Sequence, residues 1–94
     1  MKSIYSHLAA AEDPQSDDFT LGQIKMFEAN AERIVEEIGY RPMLHVLNSA
    51  GIERFPKYQH DMVRLGIGIY GISAKPDVKL SPVASLKCKI LQIK

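Results

Sequence analysis

Between His45 and Gly71 the chain runs HVLNSAGIERFPKYQHDMVRLGIGIYG, which places an amide, a hydroxyl, a guanidinium and a glycine-rich turn within one short stretch. Asn48 and Ser49 come first, then Arg64, then Gly66 and Ile67, behind two short apolar runs. Gathered at the ends of neighbouring strands by a short helix and a tight loop, such groups can surround one anionic, planar ligand. Ser49 offers a hydroxyl at a helix start, and Gly66-Ile67 offers backbone N–H groups clear of bulky side chains. Both kinds of donor attract phosphate. The set matches what a phosphorylated cofactor needs. Each residue also has a plainer reading: Ser49 as a helix cap, Gly66 as a turn, Arg64 as an exposed partner in a salt bridge.

The elements that must position these residues follow from the apolar pattern. Ile4 to Leu8 reads as a short buried strand with polar Ser6 and His7, leading through Ala9-Ala10-Ala11 into an acidic, solvated loop, EDPQSDD. Thr20 and Gln23 have the spacing of a capping box, so a helix is expected over about residues 21 to 38. Ile24, Phe27, Ala31, Ile34, Val35 and Ile38 give it one apolar stripe, and Gly39 and Pro42 end it. Met43 to Leu47 is a second strand, Ser49 to Arg54 a turn or two of helix before Pro56, and Met62 to Leu65 a third strand closing on Gly66. Residues 73–82 read as a linker. After it, alternating apolar and polar residues over Ala84 to Ile93 suggest a half-exposed strand of an antiparallel β structure. Strand, helix, strand, short helix, strand is the order of a parallel α/β fold, which places ligands at the C-terminal ends of its strands.

Bulk properties narrow the class. The 94 residues are 46% hydrophobic and 24% charged with a net charge of +1, which fits a soluble globular chain. The cationic residues are scattered and aromatic residues are sparse, which argues against nucleic acid. No apolar run approaches the ~20 residues of a membrane span. The start of the chain lacks a secretory apolar region, and the single cysteine, Cys88, excludes an internal disulfide. A cytoplasmic setting, with no membrane partner, is expected. No His/Cys/Asp cluster has metal-site spacing, and Cys88 is expected to be a small buried hydrophobe.

SHLAAAEDP near the start, HVLNSAGIERFP in the middle and DMVRLGIGIYG beyond it together resemble alanine racemase, a pyridoxal-phosphate enzyme of fold type III. The resemblance covers residues 3 to 94 and is closest to the Bacteroidetes type, often fused behind a Mur ligase. It implies a (β/α)₈ TIM barrel followed by a C-terminal β domain, working as a homodimer on alanine and supplying D-alanine for peptidoglycan. A complete barrel typically needs ~250 residues. This chain is therefore expected to be a fragment: about barrel strands six to eight in residues 1–72, a linker at 73–82, and the β-domain start at 83–94. By the same resemblance Arg64 faces the pyridine nitrogen, Ser49, Gly66 and Ile67 hold the phosphate, Asn48 joins the polar network beside the ring, and His7 and His45 support the ring and its arginine. A guanidinium donates without giving up its proton, so the ring nitrogen stays unprotonated and the ring is a weaker electron sink.

The resemblance also defines what the chain lacks. The family's lysine, joined to the cofactor as a Schiff base, belongs to an earlier strand. Its proton-transferring tyrosine belongs to the β domain of the partner subunit, which leaves Tyr70 a structural role. The arginine that binds the substrate carboxylate lies in an earlier segment too. No catalytic residue is expected within the 94 positions, and the chain alone is expected not to racemise alanine. Bare strand edges and uncovered apolar faces predict an aggregation-prone or partly molten isolated chain. Two other readings share these residues: a broad-specificity amino-acid racemase of the same fold, and a non-catalytic pyridoxal-phosphate-binding protein.

Overall fold

The computed structural model describes residues 1–93. Two short parallel strands, β1 (Ser3–Tyr5) and β2 (Met43–His45), are joined by a 22-residue helix, α1 (Asp17–Ile38). Their register pairs Ser3 with Met43, Ile4 with Leu44 and Tyr5 with His45. A second helix, α2 (Ser49–Arg54), follows β2 directly. This is the α/β order that the apolar pattern predicts, with shorter strands.

Helix α1 buries Thr20, Ile24, Phe27 and Ala31, one residue per turn along a single stripe. Ile34, Val35 and Ile38 continue that stripe half-buried. The core lies where this stripe meets the segments leaving the two strands and α2: Leu8, Ala11, Val46, Leu47, Ala50 and Phe55. At the far end of α1, Gly39 adopts φ 75° and returns its N–H to Val35 O. A side chain there would meet the left-handed steric penalty, so glycine ends the helix.

The start of α1 differs from the capping-box reading. The helix begins at Asp17, directly after a 3₁₀ turn at Pro14–Ser16. Asp13 opens that turn: its carboxylate accepts from Gln15 N at 3.0 Å and from Ser16 Oγ at 2.7 Å. Asp13-Pro14 was the start signal, because proline is preorganised for a first turn and lacks the N–H that would go unpaired there. Thr20 therefore sits inside the helix, fully buried, and its hydroxyl finds no partner. Gln23 does not close a box either. Its amide crosses to the segment after β1, accepting from Ala9 N at 3.2 Å and donating to His7 O.

No third strand forms at Met62–Leu65. Residues 61–64 nonetheless run beside residues 44–47 in the same direction, with Asp61 N donating to Leu44 O at 3.1 Å and Arg64 N to Leu47 O at 3.0 Å. At the Leu44 end of this run a side chain takes the place of a ladder partner, since Asp61 Oδ2 accepts from Leu44 N at 2.8 Å. Arg41 holds the same carboxylate at 2.9 Å. The Arg41 hydrogen bond and then the Leu44 N–H hold the Asp61 carboxyl below its ordinary value.

Beyond the 3₁₀ turn Ile67–Tyr70, the strand expected over Ala84–Ile93 is not formed. A strand needs a neighbour to complete its hydrogen bonds, and none of the described residues lies alongside as one. Leu86 and Leu91 are almost wholly exposed, Tyr70 is exposed, and Cys88 is exposed as well, in contrast to the buried place expected for it. No helix among the described residues is long and apolar enough to cross a membrane.

The two accounts of Thr20 predict opposite outcomes for Thr20→Val. A capping threonine would cost about 1 kcal/mol when lost. A buried hydroxyl without a partner is instead a liability of about 1 kcal/mol or more, so the near-isosteric valine should leave urea stability equal or raised.

Candidate functional site

A cleft of about 590 Å³ opens at the C-terminal ends of β1 and β2. His7, Asn48, Ser49, Arg64, Gly66 and Ile67 all line it, so the sequence-predicted residues converge on one mouth. His45 is the exception: it lies beneath Arg64, buried, with its ring facing the guanidinium. Glu12 and the segment Ile72–Ala74 form the remaining walls.

Arg64 reaches back from the segment beside β2 to the ends of both strands. Nη1 lies 2.8 Å from His45 Nδ1 and donates to His45 O at 3.3 Å. Nη2 donates to Ser6 O at 2.7 Å and lies 3.5 Å from His7 Nδ1, a much weaker contact. Because a guanidinium has donors only, His45 Nδ1 must present its lone pair, and the imidazole proton belongs on Nε2. Burial, and then the positive charge of Arg64, lower the His45 pKa from its ordinary value of 6.5. His45 is thus a neutral acceptor that holds a permanent cation in place.

Ser49 does not cap α2. Asn48 does, accepting from Gly51 N at 2.9 Å, while its Nδ2 donates to Leu8 O at 3.3 Å and ties the segment after β1 to the helix. Asn48 is therefore committed to the scaffold at both ends of its amide, although it still borders the cleft. Freed from capping, the Ser49 hydroxyl accepts from Gly66 N at 2.8 Å and from Gly68 N at 3.2 Å. The N–H of Gly66, expected to be free for a ligand, is directed at Ser49 instead. Two accepted bonds occupy both lone pairs of Oγ, leaving Ser49 one further hydrogen bond, which it can only donate. A Cβ at Gly68 would lie in ordinary contact with Ser49 Oγ at 3.5 Å and would require the tip of the Leu65 side chain, 2.8 Å away, to move aside.

Several positioning residues carried no sequence signal specific enough to find them. Glu53, one turn past Ser49, accepts from Ser73 Oγ and from Ala74 N at 3.3 Å, fastening the far wall of the cleft to the same helix. Arg54 donates to Ala11 O at 2.6 Å and to Asp17 at 2.7 Å, joining α2 to the start of α1. Tyr5 stacks on His45 with ring centroids 5.3 Å apart and planes within 7°. No cluster of His, Cys, Asp or Glu among the described residues has the geometry of a metal site.

Fold and cleft define a section of a parallel α/β protein whose donor-rich site sits at the strand ends, the usual ligand position of such folds. Residues 1–74 match the family described as alanine racemase, N-terminal domain. The chain belongs to that family. It is 35% identical over 98 residues to the alanine racemase of Synechocystis, covering 100% of this chain and 26% of that protein. It is 36% identical over 99 residues to alanine racemase 1 of Oceanobacillus iheyensis, with the same coverage. Among solved structures, the Clostridium difficile 630 alanine racemase complexed with cycloserine aligns with TM-score 0.69 and 29% identity over 87% of this chain and 23% of that one. The Bartonella henselae alanine racemase with covalently bound pyridoxal phosphate aligns with TM-score 0.63 and 30% identity, over 88% and 22% respectively. The chain thus spans about a quarter of the length of the relatives it matches.

Two outcomes test this arrangement. Ser49→Ala should leave the Gly66 and Gly68 N–H groups without their acceptor, lowering urea stability by about 1–3 kcal/mol and speeding amide exchange at both glycines. The lowered pKa of His45 has a signed consequence. Above 6.5 the ring is neutral in both folded and unfolded chains; as pH falls below 6.5 the unfolded chain takes up a proton that folded His45 resists. Stability should therefore decline as pH falls through 6.5 and level off below the folded value. His45→Gln should flatten that limb in urea titrations across the same range.

Proposed function

We propose that this chain is the part of an alanine racemase that grips the cofactor pyridoxal 5′-phosphate, in an enzyme interconverting L- and D-alanine. The observation that carries the reading is the convergence of Arg64 and Ser49 on one cleft, one presenting a fixed positive charge and the other a hydroxyl left free only to donate. An anionic, planar ligand fits that donor set.

In this reading Ser49 holds the phosphate with the Ile67 N–H beside it, while Gly66, its own N–H taken by Ser49, shapes the turn that brings the two together. Arg64 holds the ring nitrogen, His45 fixes Arg64 from behind, and His7 and Asn48 border the ring. Pyridoxal phosphate, when bound, supplies an electron-withdrawing ring that stabilises negative charge at the substrate α-carbon. Arg64 limits that withdrawal, because it donates a hydrogen bond without transferring a proton. The proton-transferring lysine and tyrosine belong to segments outside these 94 residues. Residues 1–72 would be about strands six to eight of a (β/α)₈ barrel, residues 73–82 a connection, and residues 83–94 the start of a β domain. The complete enzyme would act as a cytoplasmic homodimer and supply D-alanine for peptidoglycan.

A hybrid enzyme tests the reading. This chain would replace the matching quarter of the Synechocystis relative, and racemisation of alanine would be followed by circular dichroism. An active hybrid is expected. Arg64→Glu in that hybrid should lower racemisation by about tenfold or more, the loss of one charge-assisted hydrogen bond, and should raise transamination. A folded hybrid that binds no pyridoxal phosphate, or an Arg64→Glu variant with unchanged reaction specificity, would overturn the assignment.

A further inference from the structure

Arg64 can be aimed only as well as its acceptors are held. Ser6 O and His45 O are backbone atoms fixed by the chain. His45 Nδ1 is not, because its position depends on which way the imidazole faces and which nitrogen carries the proton. A half-turn about Cβ–Cγ would put a C–H where the guanidinium now meets a lone pair. A proton on Nδ1 would set donor against donor.

One ring covers this choice. Tyr5 lies directly across the parallel sheet from His45 in the strand register. The pairing that builds the sheet therefore brings the two rings to 5.3 Å, with planes within 7° of parallel. The Arg64 guanidinium carbon sits 5.4 Å from the centroid of the same tyrosine ring, within reach of a cation–π attraction. Tyr5 is itself 66% exposed, whereas His45 is 6% exposed, so Tyr5 contributes little to the core while closing one face of its neighbour.

We propose that Tyr5 is a positioning residue of the cleft: by stacking on His45 and facing Arg64, its ring holds the imidazole with Nδ1 turned towards Arg64, where the guanidinium keeps the proton on Nε2, and so sets the direction in which Arg64 presents its charge. The proposal rests on Arg64 being the anchor of the cofactor site, but its readout needs no ligand. An aromatic ring is required for it. A residue that only shielded apolar surface would be replaceable by leucine.

The test uses the hybrid enzyme, which carries all 94 residues of this chain, labelled with nitrogen-15 at histidine, with the His45 signals assigned by their loss in His45→Gln. Two-bond proton–nitrogen spectra would be recorded above about pH 8, where ordinary imidazoles are neutral. Wild type and Tyr5→Phe should show His45 in a single Nε2–H form. Tyr5→Leu should populate both neutral forms of His45 while the helical circular dichroism of the hybrid stays at the wild-type level. Should Tyr5→Leu not fold, Tyr5→Ile carries the same expectation, since a β-branched residue suits a strand. A wild-type chain with both forms at His45, a leucine variant that keeps the single form, or loss of folding in both aliphatic variants would overturn the proposal. Failure of the hybrid enzyme with the expected histidine spectra would remove the catalytic reading alone. An active hybrid with an unaltered His45 in Tyr5→Leu would remove only the role of Tyr5.

Discussion

A guanidinium can donate hydrogen bonds and cannot accept them, and the upper end of this fold is organised around that asymmetry at Arg64. Its donors reach Ser6 O after β1 and His45 at the end of β2, and its own backbone is bonded to Leu47. One side chain therefore ties together three chain segments distant in sequence. Every group facing it must offer a lone pair, which fixes the proton of His45 on Nε2, while burial, more than the charge of Arg64, lowers the His45 pKa. A lysine there would carry the charge but not the planar fork that reaches both strands at once.

Helix α2 is the second organising element, and its brevity is useful. Within six residues it carries Ser49, which collects the N–H groups of Gly66 and Gly68, and Glu53, which holds Ser73 and Ala74. Both ends of the loop that walls the cleft are thereby referred to one rigid piece. Asn48 caps that piece and Arg54 anchors its other end to Ala11 and Asp17. The cleft's shape thus depends on α2 as a frame rather than on the loop's own preferences.

What could be read from the sequence was the part governed by local pattern. The apolar stripe of α1, its glycine stop, the two strands and the span of α2 each follow from spacing that a single segment displays. The convergence of Ser49 and Arg64 was legible through the resemblance and the strand-end rule, since both sit just beyond apolar runs. Misreadings arose where one signal had two uses. Thr20 and Gln23 have capping-box spacing, yet Asp13-Pro14 starts the helical path earlier and Gln23 holds His7 and Ala9 instead. Asn48, expected in the polar network beside the ring, caps α2 instead and so relieves Ser49 of that plainer role, because adjacent polar residues at a helix start compete for one position. The segments at 62–65 and 84–93 have strand composition, but a strand is defined by its neighbour, which local sequence does not show. Tyr5 was invisible for the same reason: its importance comes from the residue across the sheet.

The carboxylate of Asp61 has an effect beyond local order. By taking the N–H of Leu44 while its own N–H takes the Leu44 carbonyl, it closes the outer side of β2 with a charged side chain and a backbone bond together. A stray strand from another molecule approaching that border would have to displace a carboxylate that Arg41 also grips, and find another home for the negative charge. The border is guarded against foreign pairing by electrostatics as well as by occupancy, in the way natural sheets protect their margins. Self-association of this chain should accordingly be steered away from β2, towards the exposed apolar side chains of its last described residues.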